Sequence, residues 1–261
     1  MTKPADEKKK RIEIIDALRG LAVVLMVIHH LLYNLAAFLG APWWVFTNPV
    51  FDFLQFIFIG LFLFLSGVSS RFSRSNVKRG FIAIALAIGI SVVTYIMGMP
   101  IWFGILHLLG ICMVFFGLTR KLWDLIPRIA SPMIFIPLIV ASALARANIA
   151  LTSESLRVRN LLAILGWPQQ DRFDVTLLPW HEGFVFVSFD YQPLLPWLFV
   201  FLLGTWAGIY IRERKLPERF YEMKVPFFPI VGRKALLIYV LHQPIMYAIV
   251  QGILFVTGGP S

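Results

Sequence analysis

The chain has 261 residues, of which 59% are hydrophobic, and carries a formal net charge of +10 at pH 7. Long apolar runs with few charges exclude an ordinary soluble domain and predict an all-α, polytopic membrane bundle. The charge does not indicate nucleic-acid binding, because the basic residues lie in short loops, where they set topology and contact anionic lipid. The single cysteine, Cys112, excludes an internal disulfide.

Seven segments are apolar enough to cross a bilayer as helices. We predict spans over residues 13–39, 50–70, 80–98, 101–118, 130–150, 193–211 and 231–256. They form one transmembrane domain, 13–256, between a basic N-terminal segment, 1–12, and a tail, 257–261. Lys and Arg are concentrated before the first span and in alternate loops, which predicts a cytoplasmic N-terminus and an extracytoplasmic C-terminus.

One long extracytoplasmic loop is predicted, at residues 151–192. It contains LRVRNLLAILG, which is typical of a short interfacial helix, followed by a segment too polar to span. A loop of this length in a compact membrane domain is usually a lid or a binding loop.

The first span carries a polar stripe formed by Asp16, Arg19, His30 and Asn34. At 100° per residue these positions fall within roughly 60° of one another, whereas His29 lies about 100° from His30. Polar and ionisable groups in a span usually face a protein interior or a wet cavity and mark a site. The helical phase therefore selects His30 rather than His29.

His30 lies about 16 Å along the helix axis from Arg19, which is close to the cytoplasmic boundary. An imidazole can serve as a general base near neutral pH, and the alternative is a neutral packing residue. Asp16 and Arg19 are three residues apart, so they can form an ion pair, or Arg19 can help to hold an anion.

The second span ends in FLSGVSSRFSRSNVKRG. Its small residues, Ser66 and Ser69 among them, allow close approach of a neighbour or a ligand. The cations that follow can receive a polyanionic cytosolic ligand such as a nucleotide or coenzyme A phosphate, or can simply set topology and meet lipid headgroups. These cations are Arg71, Arg74, Lys78 and Arg79.

Two further intramembrane histidines, His107 and His242, are candidates for a cavity shared with His30 or for satisfied packing residues. Tyr239 and Gln243 are helical neighbours of His242. Asp190 precedes the sixth span, where it is either a site residue or a helix cap. The sequence has no Walker loop, no GxSxG and no zinc-spaced set, and we predict no metal.

Together, IDALRGLAVVLMVIHH, FLFLSGVSSRFSRSNVKRG, WFGILHLLGI, FDYQPLLPW and GRKALLIYVLHQP resemble bacterial members of the heparan-α-glucosaminide N-acetyltransferase catalytic-domain family. The resemblance covers residues 11–256. The first two motifs also resemble wider bacterial membrane acyltransferases, in which a histidine at the Arg19–His30 spacing is regarded as catalytic. The resemblance implies acetyl transfer from cytosolic acetyl-CoA, with His30 catalytic, Arg19 supporting it, and Arg71–Arg79 receiving the coenzyme A phosphates.

The sequence also departs from the family. The lysosomal heparan enzyme has its proposed active histidine in the first loop, and this chain has none over residues 40–53. Bacterial relatives often carry an acid where this chain has Asn34, which can orient His30 but cannot neutralise it.

Our interpretation is an acetyltransferase of the bacterial cytoplasmic membrane, in which His30 is the base or acyl carrier and His107, Asp190 and His242 line the site. The acceptor is open between a sugar, a lipid headgroup, peptidoglycan and a small amine, and a homo-oligomer is possible. The alternatives are a proton-coupled transporter or export module that uses the histidines as a relay, and a non-catalytic membrane subunit.

Overall fold

The computed structural model describes residues 11–98, 101–149, 156–166 and 190–258. Every regular element within these ranges is helical, which confirms the predicted fold class. The α-helices are α1 (Glu13–Phe38), α2 (Pro49–Phe72), α3 (Asn76–Ile96), α4 (Ile105–Trp123), α5 (Ala130–Asn148), α6 (Leu156–Leu165), α7 (Trp197–Arg212), α8 (Glu218–Glu222), α9 (Phe228–Arg233) and α10 (Ala235–Thr257), with a 3-10 turn at Trp43–Val45.

Among the described residues, six helices are long and apolar enough to cross a membrane: α1, α2 with the preceding turn, α3, α4, α5 and α10. The seventh predicted span is the shorter apolar helix α7, with 16 residues. The start of α2 and the end of α10 carry recognisable capping residues. Asn48 accepts the backbone N–H groups of Val50 and Phe51 at the start of α2, and left-handed Gly258 ends α10.

The fourth span begins at Ile105 rather than at residue 101 as predicted. The preceding backbone is satisfied outside the helix: the Ile101 carbonyl accepts the Ser91 hydroxyl, and the Phe103 carbonyl accepts the Gln192 N–H at 2.8 Å. Because these backbone groups already have partners, the chain does not need to extend the helix to satisfy them.

The sixth and seventh spans also start later than predicted. Helix α7 begins at Trp197 rather than at 193, because Leu194 and Leu195 donate their N–H groups to α6 and a residue before proline, such as Leu195, disfavours the helical region. The predicted span 231–256 is two helices: Val231 to Arg233 belong to α9, and the break lies at Lys234, whose backbone leaves the helical region at φ −103° and ψ 12°.

The chain divides into two compact units, residues 1–65 with 213–261, and residues 66–212. In the first unit, α1 packs against α9 and α10. The tightest approach is between two glycines, since a Cβ on Gly20 would collide with the Phe228 carbonyl and a Cβ on Gly232 with the Asp16 carbonyl. Small residues at a crossing allow membrane helices to pack backbone against backbone.

In the second unit, α3 packs on α4 and α5 on α7. The predicted short helix is α6, and its C-terminal carbonyls are satisfied from two directions. Leu194 and Leu195 donate backbone N–H groups to the carbonyls of Ile164 and Leu165, at 2.8 and 3.1 Å. The next carbonyl, on Gly166, accepts Arg146 Nε at 2.9 Å. The orphan acceptors of this helix end therefore hold the segment before α7 in place.

We predict that Gly20→Ala destabilises the protein, because the added Cβ meets backbone that cannot move aside. Overpacking of this kind costs about 1–3 kcal/mol. Thermal unfolding of the detergent-solubilised protein measures the loss. Gly252→Ala in α10 is the matched control, since no atom lies within 4 Å of its added Cβ. Equal midpoints for the two variants would contradict the close helix contact.

Candidate active site

Two histidines meet in the first compact unit. His30 on α1 and His242 on α10 have ring centroids 4.9 Å apart, with planes inclined at 66°. His242 is buried and His30 is partly exposed. The structure thus brings together two of the residues that the sequence singled out.

Backbone carbonyls of their own helices orient both rings. His30 Nδ1 lies 3.0 Å from the Met26 carbonyl, and His242 Nδ1 lies 2.7 Å from the Tyr239 carbonyl. A carbonyl only accepts, so the hydrogen-bond network assigns the proton of each neutral ring to Nδ1. Each Nε2 then carries a lone pair. His242 Nε2 is buried without a hydrogen-bond partner among the described residues.

An amide pair lies beside the histidines. The Asn34 side-chain NH₂ donates to Gln243 Oε1 at 3.2 Å and contacts the Met246 sulfur at 3.5 Å. Asn34 is one turn after His30, and Gln243 directly follows His242. The bond therefore links α1 to α10 at the level of the two rings, and a buried amide pair of this kind favours one helix register.

His29 faces different surroundings from His30. Its ring packs against Phe46 at 4.8 Å and against Phe58 at 5.8 Å between centroids, and it is 6% exposed. The 100° offset predicted from helical phase is thus visible as two separate environments. His29 contacts aromatic side chains, whereas His30 contacts a second imidazole.

The stripe continues to the other end of α1 as an ion cluster. Asp16 Oδ1 accepts Arg19 at 3.1 Å, and its second oxygen lies 3.5 Å from Arg233 Nε on α9. Near it, Glu13 pairs with Lys224 at 3.0 Å. Asp16 therefore joins a cation of its own helix to a cation of α9. Asp16, His30 and Asn34 all make contacts to α9 or α10, so the predicted stripe is one face of the packed helix.

In the second unit, Arg71 is buried at 5% exposure. Its Nε donates to the Thr205 carbonyl at 2.9 Å, its Nη1 pairs with Asp124, and its guanidinium lies 4.9 Å from the centroid of Phe116. These contacts make Arg71 a structural tie between helices α2, α4 and α7. This role differs from the phosphate contact that the sequence suggested.

The other residues of that motif lie in the last turns of α2 and in the first turn of α3 or just before it. Arg74, Lys78 and Arg79 are exposed, and Ser66 and Ser69 are partly buried. The buried Asn76 donates to the Ser70 carbonyl at 2.8 Å and fixes the turn between α2 and α3. The three exposed cations, unlike Arg71, have side chains available to an anion in solution.

His107 and Asp190 lie in the second unit, near the start of α4. His107 Nε2 is 3.4 Å from Ser91 Oγ, and its ring stacks on Phe103. Because Ser91 already donates its proton to the Ile101 carbonyl, His107 is the donor in this contact. Asp190 lies beside Gly104, the residue that precedes α4, where a carboxylate is favoured by the helix dipole. Their place in one site with His30 stays a prediction.

Tyr191 follows Asp190 and donates its hydroxyl to the Ala163 carbonyl of α6. Burial raises the pKa of this phenol, so the hydroxyl stays protonated and available to donate. Tyr191 thus helps to hold the segment before α7 on α6. Most of the predicted extracytoplasmic loop, residues 167–189, lies outside the described residues.

Arg233 is the site residue that the sequence interpretation did not identify. It belongs to the Gly-Arg-Lys run at the start of the predicted last span, which we used only as part of the family resemblance. Gly232, directly before Arg233, was the available sequence signal, because a residue without a side chain allows the close helix approach that brings Arg233 to Asp16. No group of three His, Cys, Asp or Glu within the described ranges is placed to hold a metal ion.

Comparison with protein-family models identifies one match, described as heparan-alpha-glucosaminide N-acetyltransferase, catalytic, over residues 11–244. This range includes every helix from α1 to α9 and the His242–Gln243 part of α10. Neither the curated proteins nor the solved structures give a significant match.

We predict that Arg71→Met lowers the free energy of unfolding by about 1–3 kcal/mol, because the buried Thr205 carbonyl loses its donor. Arg74→Gln, at an exposed position of the same motif, should change it by less than about 0.5 kcal/mol. Thermal and denaturant unfolding of the two purified variants measure the difference. Equal stabilities would remove the structural role from Arg71.

Proposed function

Because the chain belongs to the family of heparan-α-glucosaminide N-acetyltransferase catalytic domains, we propose that it moves an acetyl group from cytosolic acetyl-CoA to a sugar or another envelope-associated acceptor. Membership makes the chain an acyltransferase, and its apolar helices make it a multi-pass membrane protein. Beyond family membership, we propose the acetyl-CoA donor, the class of acceptor, the location in the bacterial cytoplasmic membrane and the catalytic role of His30.

The observation that carries the proposal is the His30–His242 pair. Acyl transfer from a thioester requires a group that takes a proton from the attacking hydroxyl or amine. His30 has Nδ1 directed at a backbone carbonyl and a lone pair on Nε2, which is the form of imidazole that accepts a proton. The partnerless Nε2 of buried His242 supplies a second acceptor beside it.

In the general-base route, His30 Nε2 takes the proton of the acceptor O–H or N–H as that atom forms its bond to the thioester carbonyl carbon. The carbon–sulfur bond then breaks, and the protonated imidazole returns the proton to the departing thiolate. The products are the acetylated acceptor and coenzyme A, and the enzyme regains its initial protonation state.

In the covalent route, His30 Nε2 itself attacks the thioester carbon and carries the acetyl group after coenzyme A leaves. The acceptor then attacks the acetyl carbon and the bond to His30 Nε2 breaks, while His242, the nearest base, takes the acceptor's proton. Passing that proton to the coenzyme A thiolate released in the first step restores both neutral rings. The two routes use the same pair of rings and differ in whether a labelled histidine accumulates.

The donor approaches, in this proposal, from the cytoplasmic end of α1 marked by Arg19, and the acceptor from the extracytoplasmic side. About 16 Å of helix separates Arg19 from His30, at 1.5 Å per residue. A donor with a charged nucleotide at one end and a thioester on a long arm at the other suits such a separation. We propose that His107 and Asp190 belong to the acceptor end, and that exposed Arg74, Lys78 and Arg79 attract the anionic donor.

His30→Ala should reduce acetyl transfer by about 10²–10⁴-fold, which is the typical contribution of a general base. His29→Ala is the neighbouring control, and it should retain transfer because that ring contacts Phe46 and Phe58. Transfer of radiolabelled acetyl from acetyl-CoA to bacterial envelope fractions by the purified protein provides the measurement. Full activity of His30→Ala would remove His30 from the reaction.

The two routes separate when donor is supplied without acceptor. Acetyl label retained on a peptide containing His30, after rapid quenching, indicates the covalent route, and release of label only with acceptor present indicates the general base. Protein that binds no coenzyme A and transfers no acetyl group would contradict the proposed function as a whole.

We predict that Gln243→Leu lowers kcat more than it raises KM for acetyl-CoA, because loss of the Asn34 bond loosens the helix register that holds the two rings. Gln251→Leu, at an exposed position two turns further along α10, should leave both constants unchanged. Steady-state kinetics of the three proteins tests this, and equal kcat values would contradict a positioning role for the amide pair.

A further inference from the structure

We propose that Arg19 and Arg233, held in place by Asp16, form the site that binds the diphosphate of the acyl donor. The inference rests on the proposed function and deepens it, because it assigns the anionic end of the donor to named side chains. It also moves that end away from Arg71, whose guanidinium is buried against Asp124, Thr205 and Phe116.

The first argument is geometric. One carboxylate orients both guanidinium groups, with Asp16 Oδ1 3.1 Å from Arg19 Nη1 and Oδ2 3.5 Å from Arg233 Nε. A guanidinium carries five N–H donors, so a single carboxylate contact leaves further donors on Arg233 to meet a phosphate. Because Arg19 and Arg233 come from different helices, their guanidinium groups approach Asp16 from two directions.

The backbone beneath the cluster is rigid. Gly20 follows Arg19, and Gly232 precedes Arg233, and these two glycines form the closest approach of α1 and α9. Each arginine is thus attached to the point where its helix touches the other. This arrangement limits the conformational freedom that the two long side chains would lose on binding an anion.

The charge balance favours an anion. Asp16 faces two arginines, while the neighbouring carboxylate of Glu13 is already paired with Lys224. Glu13 also lies within electrostatic reach of Arg233, so the three cations Arg19, Arg233 and Lys224 face two carboxylates, and exposed Lys234 adds a further positive charge. Asp16 and Arg19 are only 14% and 18% exposed, so solvent screens this charge less than on an open surface.

The ligand is a phosphate compound with a distant reactive group. Paired guanidinium groups match the oxygens of phosphate in bidentate hydrogen bonds, better than ammonium groups do. The cluster lies on the same face of α1 as His30 and about 16 Å from it along the axis. If the diphosphate binds here, the arm that joins it to the thioester can span the distance to the His30 imidazole.

The test compares two donors that differ only in the anionic end. Acetyl-pantetheine carries the thioester and its arm but neither diphosphate nor nucleotide. We expect Arg233→Gln to raise KM for acetyl-CoA about ten- to hundred-fold, the loss of a charged hydrogen-bonding partner, with no change in KM for acetyl-pantetheine. Arg233→Lys keeps the charge without the fork and should give an intermediate KM.

Arg214→Gln is the matched control, because Arg214 is also paired with a carboxylate, Glu218, in the same unit but is 61% exposed. It should leave KM for both donors unchanged. Equilibrium binding of desulfo-coenzyme A to the detergent-solubilised protein supplies a readout independent of turnover and should weaken in Arg233→Gln alone. Matching unfolding midpoints confirm that the variants fold.

Three results would overturn the inference. The first is an unchanged KM for acetyl-CoA in Arg233→Gln, and the second is an equal rise in KM for both donors. The third is an Arg233→Gln variant that retains less anionic lipid in nanodiscs but binds desulfo-coenzyme A with unaltered affinity, which would assign the cluster to a lipid headgroup. If any of these three results is found but the wild-type protein still transfers acetyl groups, the inference fails and the proposed function stands. Wild-type protein that neither transfers acetyl groups nor binds desulfo-coenzyme A would end both proposals.

Discussion

The close contact of α1 with α9 is the constraint on which the first compact unit depends. Gly20 and Gly232 have no side chains, so the backbones of the two helices touch there. Because α10 begins at Ala235, three residues after Gly232, its direction follows from the same contact. Once this anchor is fixed, the helical period determines which residues of α1 face α9 and α10.

Several polar residues of α1 face that surface and have partners on it. Asp16 meets Arg233, His30 meets His242, and Asn34 meets Gln243. In an apolar medium an unsatisfied polar group is costly, and pairing across the helix contact removes that cost. His242 Nε2 is buried and has no partner among the described residues, as is also the case for His29 Nδ1 away from this surface. Because His242 Nε2 has an unused lone pair beside the His30 imidazole, a hydroxyl or amine of a reacting molecule could donate a hydrogen bond to it.

The sequence was sufficient for the parts that follow from periodicity. Helical phase separated His30 from His29, and apolar length identified the helices, because both depend only on local geometry. The sequence was insufficient where a residue's role depends on hydrogen-bond or ion-pair partners that are distant in the sequence. Arg71 is structural because Asp124 and Thr205 happen to lie against it, and α4 starts late because Ser91 and Gln192 satisfy the backbone before it. Arg233 was missed for the same reason, since its partner is more than 200 residues away.

These two kinds of information bear differently on function. Composition and phase predict where polar chemistry can occur in a membrane helix, but a basic motif alone cannot separate a structural cation from a ligand-binding one. The distinction depends on what each guanidinium already contacts. Arg71 is surrounded by a carboxylate, a carbonyl and an aromatic ring, so an anion would have to displace them. Arg233 is 42% exposed, and its Nε lies 3.5 Å from Asp16, so an incoming phosphate can approach the exposed part of this guanidinium without displacing a buried contact.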